Sequence, residues 1–110
     1  MNRPVQITFR GMESSEAMTE YIQAEAEKLE QFCDRIVGCH VVVEQPHKHH
    51  HQGNIFQVRV DLHVPGKEIV AGREHADRNT HEDPYRAVND AFEAVRHQLQ
   101  HYAEKQHAHR

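Results

Sequence analysis

Four histidines fall within five residues, His47, His49, His50 and His51 in the run HKHHHQG. Neutral imidazole is the commonest side-chain ligand for zinc, copper and nickel, so the run has the chemistry of a metal-binding loop. Adjacent loop histidines converge on one ion only when a second element adds ligands. No Cys, Asp or Glu stands at such a spacing from them. A solvated loop that turns cationic in mild acid explains the same residues, and the reading drawn is no resident metal and no cofactor. Cys33 and Cys39 are six apart, neither a CxxC pair nor half of a zinc set. Cys39 falls on an apolar strand face, where a free thiol is common, and two unpaired cysteines fit the cytoplasm. A Cys33–Cys39 bridge is the less economical alternative.

Catalysis needs a nucleophile, a base and an orienting group. The chain has no GxSxG, no HExxH and no phosphate-binding glycine loop. His81, Glu82 and Asp83 look chemical, but they precede Pro84 and are better explained as a helix cap. The expectation is therefore no enzyme and no small-molecule substrate. The remaining chemistry is cationic. Arg86, Arg96, His97 and His101 lie on one predicted helix, Arg10 and Arg59 on predicted strands, and Lys48 and Arg78 on flanking loops. Phosphate contacts and recognition of RNA shape use several such donors at once.

Hydrophobic periodicity defines the elements that hold these side chains. Val5, Ile7 and Phe9 alternate with Gln6, Thr8 and Arg10, a half-buried strand over 4–10. Ser14 or Ser15 caps a helix over 15–33, striped by Met18, Tyr21, Ile22, Leu29, Phe32 and Cys33. A second strand covers 39–45, with Cys39, Val41 and Val43 inward. The polar connection 47–53 leads to the clearest strand, 54–64, where Phe56, Val58, Val60, Leu62 and Val64 share a face. Pro65 and Gly66 make a turn into a fourth strand over 67–74. A polar loop over 75–82 precedes a helix from about Pro84 to about Lys105, and residues 103–110 form a tail expected to fray. Its stripe is Tyr85, Val88, Phe92, Val95, Leu99 and Tyr102.

The order is β-α-β-β-β-α. Each strand has one apolar face and each helix one stripe, which predicts an α+β, two-layer domain spanning 1–110. Both helices should cover one face of a four-stranded sheet. The other face should stay polar and open. The length of 110 residues suits one domain. No apolar run is long enough for a membrane span, and no leader is expected. Hydrophobic residues are 37% and charged residues 27%, with a formal charge of -4. That balance argues against disorder and against a generic polybasic nucleic-acid binder. Seven acids and one base occupy residues 13–34, while the remainder holds ten acids and twelve bases. All 12 histidines lie between His40 and His109, so full protonation would move the charge from -4 to +8.

Four stretches then carry a family resemblance: QITFRGME with SEA opening the helix; KLEQFCDRI leading into CHVVVEQPHKHHHQG; VRVDLHVPGKEIV; and HEDPYRAVNDAFEAVRHQL, built on Asp83, Tyr85, Ala87, Phe92 and Leu99. In order and spacing the chain resembles, over about residues 4–102, the short ribosome hibernation-promoting and ribosome-associated translation-inhibitor A family. The resemblance implies a fold like that of double-stranded-RNA-binding domains. It implies binding to the small ribosomal subunit through ribosomal RNA, in the channel used by messenger and transfer RNA, and inhibition of translation in stress or stationary phase. Such proteins use basic side chains along both helices. By position Lys28 matches a basic place in the first helix, and Arg86, Arg96 and His97 match basic places in the second. Gln23, Glu25 and Glu27 stand where the family carries Arg or Lys. The long forms add a C-terminal dimerisation domain that is not expected after the second helix, and a monomer is the default. Two readings follow. One is a ribosome-bound inhibitor whose histidines restore charge at low pH. The other is a retained fold whose surface binds a basic protein through the acidic helix, or a metal through the histidine loop.

Overall fold

Alternating apolar residues form the sheet and two amphipathic stripes form the layer above it. The computed structural model describes residues 1, 3–45, 48–49, 53–72, 80–81 and 83–108, with side chains for 1, 3–45, 55–72 and 83–106. The elements are β1 (Gln6–Arg10), α1 (Glu16–Leu29), β2 (Gly38–Glu44), β3 (Lys48–His49), β4 (Gly53–Asn54), β5 (Phe56–Val64), β6 (Lys67–Ala71), β7 (Thr80–His81) and α2 (Pro84–Ala108). The principal sheet runs β1-β2-β5-β6. β1 lies parallel to β2, as a strand–helix–strand crossover requires, and β2, β5 and β6 form an antiparallel meander. No helix among the described residues is long and apolar enough to cross a membrane.

Cys39, Val41, Val43, Val58, Val60, Leu62, Val64, Ile69 and Ala71 occupy one sheet face. They form a single core with Met18, Ile22, Ala26 and Leu29 of α1 and Ala87, Val88, Ala91, Phe92, Val95, Leu99 and Tyr102 of α2. The period-2 and period-3.6 patterns thus meet in one α+β two-layer core. Two hydrogen bonds pin α2 across the meander. Tyr102 Oη donates to the Pro65 carbonyl (2.9 Å), and Gln98 Nε2 donates to the Val70 carbonyl on the β6 edge (3.2 Å).

The elements depart from the sequence pattern in five places. α1 ends at Leu29, not at residue 33, because Glu30, Gln31 and Phe32 each bond the carbonyl three residues back (3.0–3.2 Å). Those bonds tighten the last turn toward 3₁₀ geometry, and the apolar stripe continues through it. The polar connection carries a two-residue hairpin, β3 with β4, and the polar loop before α2 carries β7. β7 pairs with Phe56 and Gln57, the stretch of β5 that lies beyond the reach of β6. β6 stops at Ala71 because Gly72 turns the chain at φ 91° against the Val58 carbonyl. α2 extends to Ala108, past the predicted exit near Lys105; residues 109–110 of the predicted tail lie outside the described residues.

Candidate nucleic-acid interface

The predicted cations whose side chains are described are distributed over two surfaces. Arg10 and Arg59 stand on the open sheet face. There the register aligns Gln6, His40, Asp61 and Val70 in one row, and Thr8, Val42 and Arg59 in the next. Thr8 Oγ1 and His40 Nε2 are 2.9 Å apart. Arg59 donates to Asp61 twice, Nε to Oδ1 at 3.1 Å and Nη2 to Oδ2 at 2.9 Å. This fork raises the Arg59 guanidinium further, chiefly through those hydrogen bonds. The neighbours also cover Val42, which is only 9% exposed although it points away from the core. Arg59 is thus committed to a carboxylate, whereas Arg10 is exposed at the end of β1.

The second surface is helical. Ser15 caps α1, accepting from the Met18 amide (3.2 Å), and Asp83 caps α2, accepting from the Tyr85 amide (3.0 Å). At 100° per residue, Arg86 and His97 lie on the outermost ridge of α2 with Glu93 and Glu104, and His101 lies to one side. Arg86, His97 and His101 are exposed. On α1, Glu16, Glu20 and Glu27 occupy the outermost ridge and Lys28 flanks it toward α2. The α2 segment carries three Lys/Arg and three Asp/Glu, and the α1 segment one Lys and four Glu.

Between the helices runs a groove of about 370 Å³. Leu29, Phe32 and Phe92 make it apolar, and Glu25, Lys28, Asn89, Glu93 and Arg96 supply its polar groups. Lys28 Nζ lies 2.8 Å from Glu25 Oε2, and Arg96 Nη2 lies 3.7 Å from Glu93 Oε1. The Glu25 hydrogen bond raises the Lys28 ammonium above its usual value. The Arg96 guanidinium also sits 5.9 Å above the Phe32 ring. At the N-terminal end of α2, Tyr21 and Tyr85 meet edge to face, 5.1 Å between centroids. Burial, followed by the Glu25 charge, pushes the Tyr21 hydroxyl up.

The structure therefore brings Lys28 and Arg96 to one groove, leaves Arg86, His97 and His101 on the α2 surface, and puts Arg10 and Arg59 on the opposite layer. The Lys48 side chain, Arg78 and the histidines His47, His50 and His51 lie outside the described residues, and His49 is placed only by its backbone in β3. Among the described residues no three His, Cys, Asp or Glu side chains cluster to hold a metal ion. Sequence reasoning overlooked the carboxylate partners of the cations. Their spacing was a usable signal: Glu25–Lys28 and Glu93–Arg96 are three apart on helices, and Arg59–Asp61 two apart on one strand face. The groove itself left no such signal, because Phe32 belongs to the turn and not to the helix.

The sequence model of the family described as sigma 54 modulation protein / S30EA ribosomal protein matches residues 5–107. A ribosome hibernation promoting factor of Azotobacter vinelandii is 29% identical over 104 residues, covering 93% of this chain and 84% of that protein. A ribosomal subunit interface protein from Coxiella burnetii superposes with a TM-score of 0.68 at 21% identity, over 89% of this chain and 94% of that one. The N-terminal domain of Thermus thermophilus Protein Y superposes with a TM-score of 0.69 at 17% identity, over 93% and 99%.

Proposed function

The chain belongs to the sigma 54 modulation protein / S30EA ribosomal protein family, and from that membership we propose that it is a ribosome-associated hibernation factor. It binds the small subunit through ribosomal RNA in the cytoplasm and inhibits translation under stress or in stationary phase, as a monomeric single domain. The observation that carries this reading is the match along almost the whole chain, residues 5–107. The named relative supports it, being a ribosome hibernation promoting factor similar over 93% of the chain. The RNA contacts are assigned to Lys28, Arg86, Arg96, His97 and His101 of the helical layer, with Arg10, Lys48, Arg59 and Arg78 as flanking donors. Protonated histidine adds cationic donors in mild acid, which strengthens phosphate contacts in an acidified cell.

Co-sedimentation of the untagged protein with purified small subunits, at low and moderate salt and at pH 6 and 7.5, tests this. Saturable binding that weakens with salt is expected, tighter at pH 6. Absence of binding under all four conditions would overturn it. The acid-rich outer ridge of α1 favours a second reading, in which that helix meets a basic protein. Binding that survives on subunits stripped of proteins would exclude it.

A further inference from the structure

We propose that the groove between α1 and α2 is a receptor for one unpaired RNA base, recognised through its N–H donors. The proposal rests on the ribosomal reading above and specifies one contact within it. The groove volume, about 370 Å³, is at the lower end of small-ligand clefts. Its apolar wall presents Phe32, a half-buried ring covered by a planar guanidinium, that of Arg96. Aromatic rings and Arg planes are the two surfaces on which proteins stack unpaired RNA bases. A base on Phe32 therefore takes the place the guanidinium now holds, and Arg96 remains beside it as a phosphate donor. Lys28, 67% exposed on the opposite helix, supplies the second donor.

The carboxylates turn this cleft from a phosphate site into a base site. Glu25 is only 13% exposed, and Lys28 donates to it. Lys28 holds its end of the pair in solvent, where the attraction is screened, so a phosphate can draw it away. An enclosed carboxylate left without a donor is costly, so this exchange needs a replacement N–H. A base edge supplies one. Guanine offers N1–H and the N2 amino group side by side, which a carboxylate accepts as a pair, whereas uracil has a single N–H and no amino group. Glu25 and Glu93 together repel a bare phosphate. The groove should therefore prefer guanine to uracil and reject inorganic phosphate.

The test uses the full chain, isotope-labelled for NMR, titrated separately with guanosine monophosphate, uridine monophosphate and inorganic phosphate. Guanosine monophosphate should move the resonances of Phe32, Asn89 and Arg96, at least about fivefold more tightly than uridine monophosphate, and phosphate should not. Phe32→Leu keeps an apolar side chain and removes the ring; it should weaken guanosine monophosphate about tenfold, the scale of one stacked base. Glu25→Gln, with an unchanged fold spectrum, should bring the two nucleotides to near-equal affinity. Equal shifts from phosphate alone, or binding indifferent to Phe32→Leu, would overturn the proposal. Co-sedimentation of the wild type with small subunits separates the two levels. Ribosome binding without groove shifts removes the base receptor and leaves the ribosomal reading. Groove shifts without ribosome binding do the reverse.

Discussion

Cys39 shows how strongly one position can be set by its layer. Its side chain points from β2 into the core, and burial, followed by the Asp61 charge, pushes its thiol up to about 12. Thiolate is the reactive form, so this sulfur should be inert in the folded protein. Cys33 sits half-buried in the turn after α1. At pH 8 a disulfide reagent should label one thiol of the native protein rapidly and the second only at the rate of unfolding. The same shift affects stability. The folded thiol titrates above its ordinary value of 9.0, so its contribution is intact below about pH 9 and is lost as pH rises from 9 toward 12. Denaturant midpoints should fall through that window, and Cys39→Ala should remove this part of the decline. If both thiols label at one rate in the native state, the burial argument fails.

At the scale of elements, two positions fix where structure starts and stops. Asp83 accepts the Tyr85 amide at the head of α2, with Pro84 in the first helical position. Asp83→Ala should cost about 1 kcal/mol in a urea titration, and Asp83→Asn, which keeps the acceptor, should recover most of it. Gly72 is more demanding. At φ 91° an added Cβ would collide with the Val58 carbonyl oxygen, and the neighbour is backbone that cannot rotate away. Gly72→Ala should therefore destabilise by more than about 2 kcal/mol, well beyond a cap deletion. These two elements also mark what a sequence can and cannot reveal. β5 was legible because five apolar residues alternate over its length, and α2 because Asp83-Pro84 opens a long stripe. β3, β4 and β7 were not, since two residues carry no period: β3 and β4 pair with each other, and β7 is chosen by the stretch of the β5 edge that β6 leaves. The end of α1 was misplaced because Phe32 extends the stripe through a tightened turn. The cations of the candidate interface were legible as types, but their partners Glu25, Asp61 and Glu93 required recognising which neighbours share a face.

At the scale of the molecule, charge opposes the function that family membership supports. The formal charge is -4, and the outermost ridge of α1 carries Glu16, Glu20 and Glu27, all exposed. RNA affinity comes largely from neutralised phosphates, and acids on the same layer subtract from it. In water two unit charges about 10 Å apart interact by about 0.4 kcal/mol. Replacing Glu20 and Glu27 together by Gln removes two such repulsions, on exposed side chains outside the core. At low salt the double variant should bind small subunits about threefold to fivefold more tightly than the wild type. Near 1 M salt, where the screening length is about 3 Å, the two proteins should become indistinguishable. The gain is electrostatic, so it should appear without any change in thermal stability or in the pH 6 increment proposed for the histidines. An unchanged low-salt affinity would mean that α1 faces away from the RNA. The helical layer would then contact ribosomal RNA through α2 alone, with the acidic ridge turned to solvent or to a basic protein.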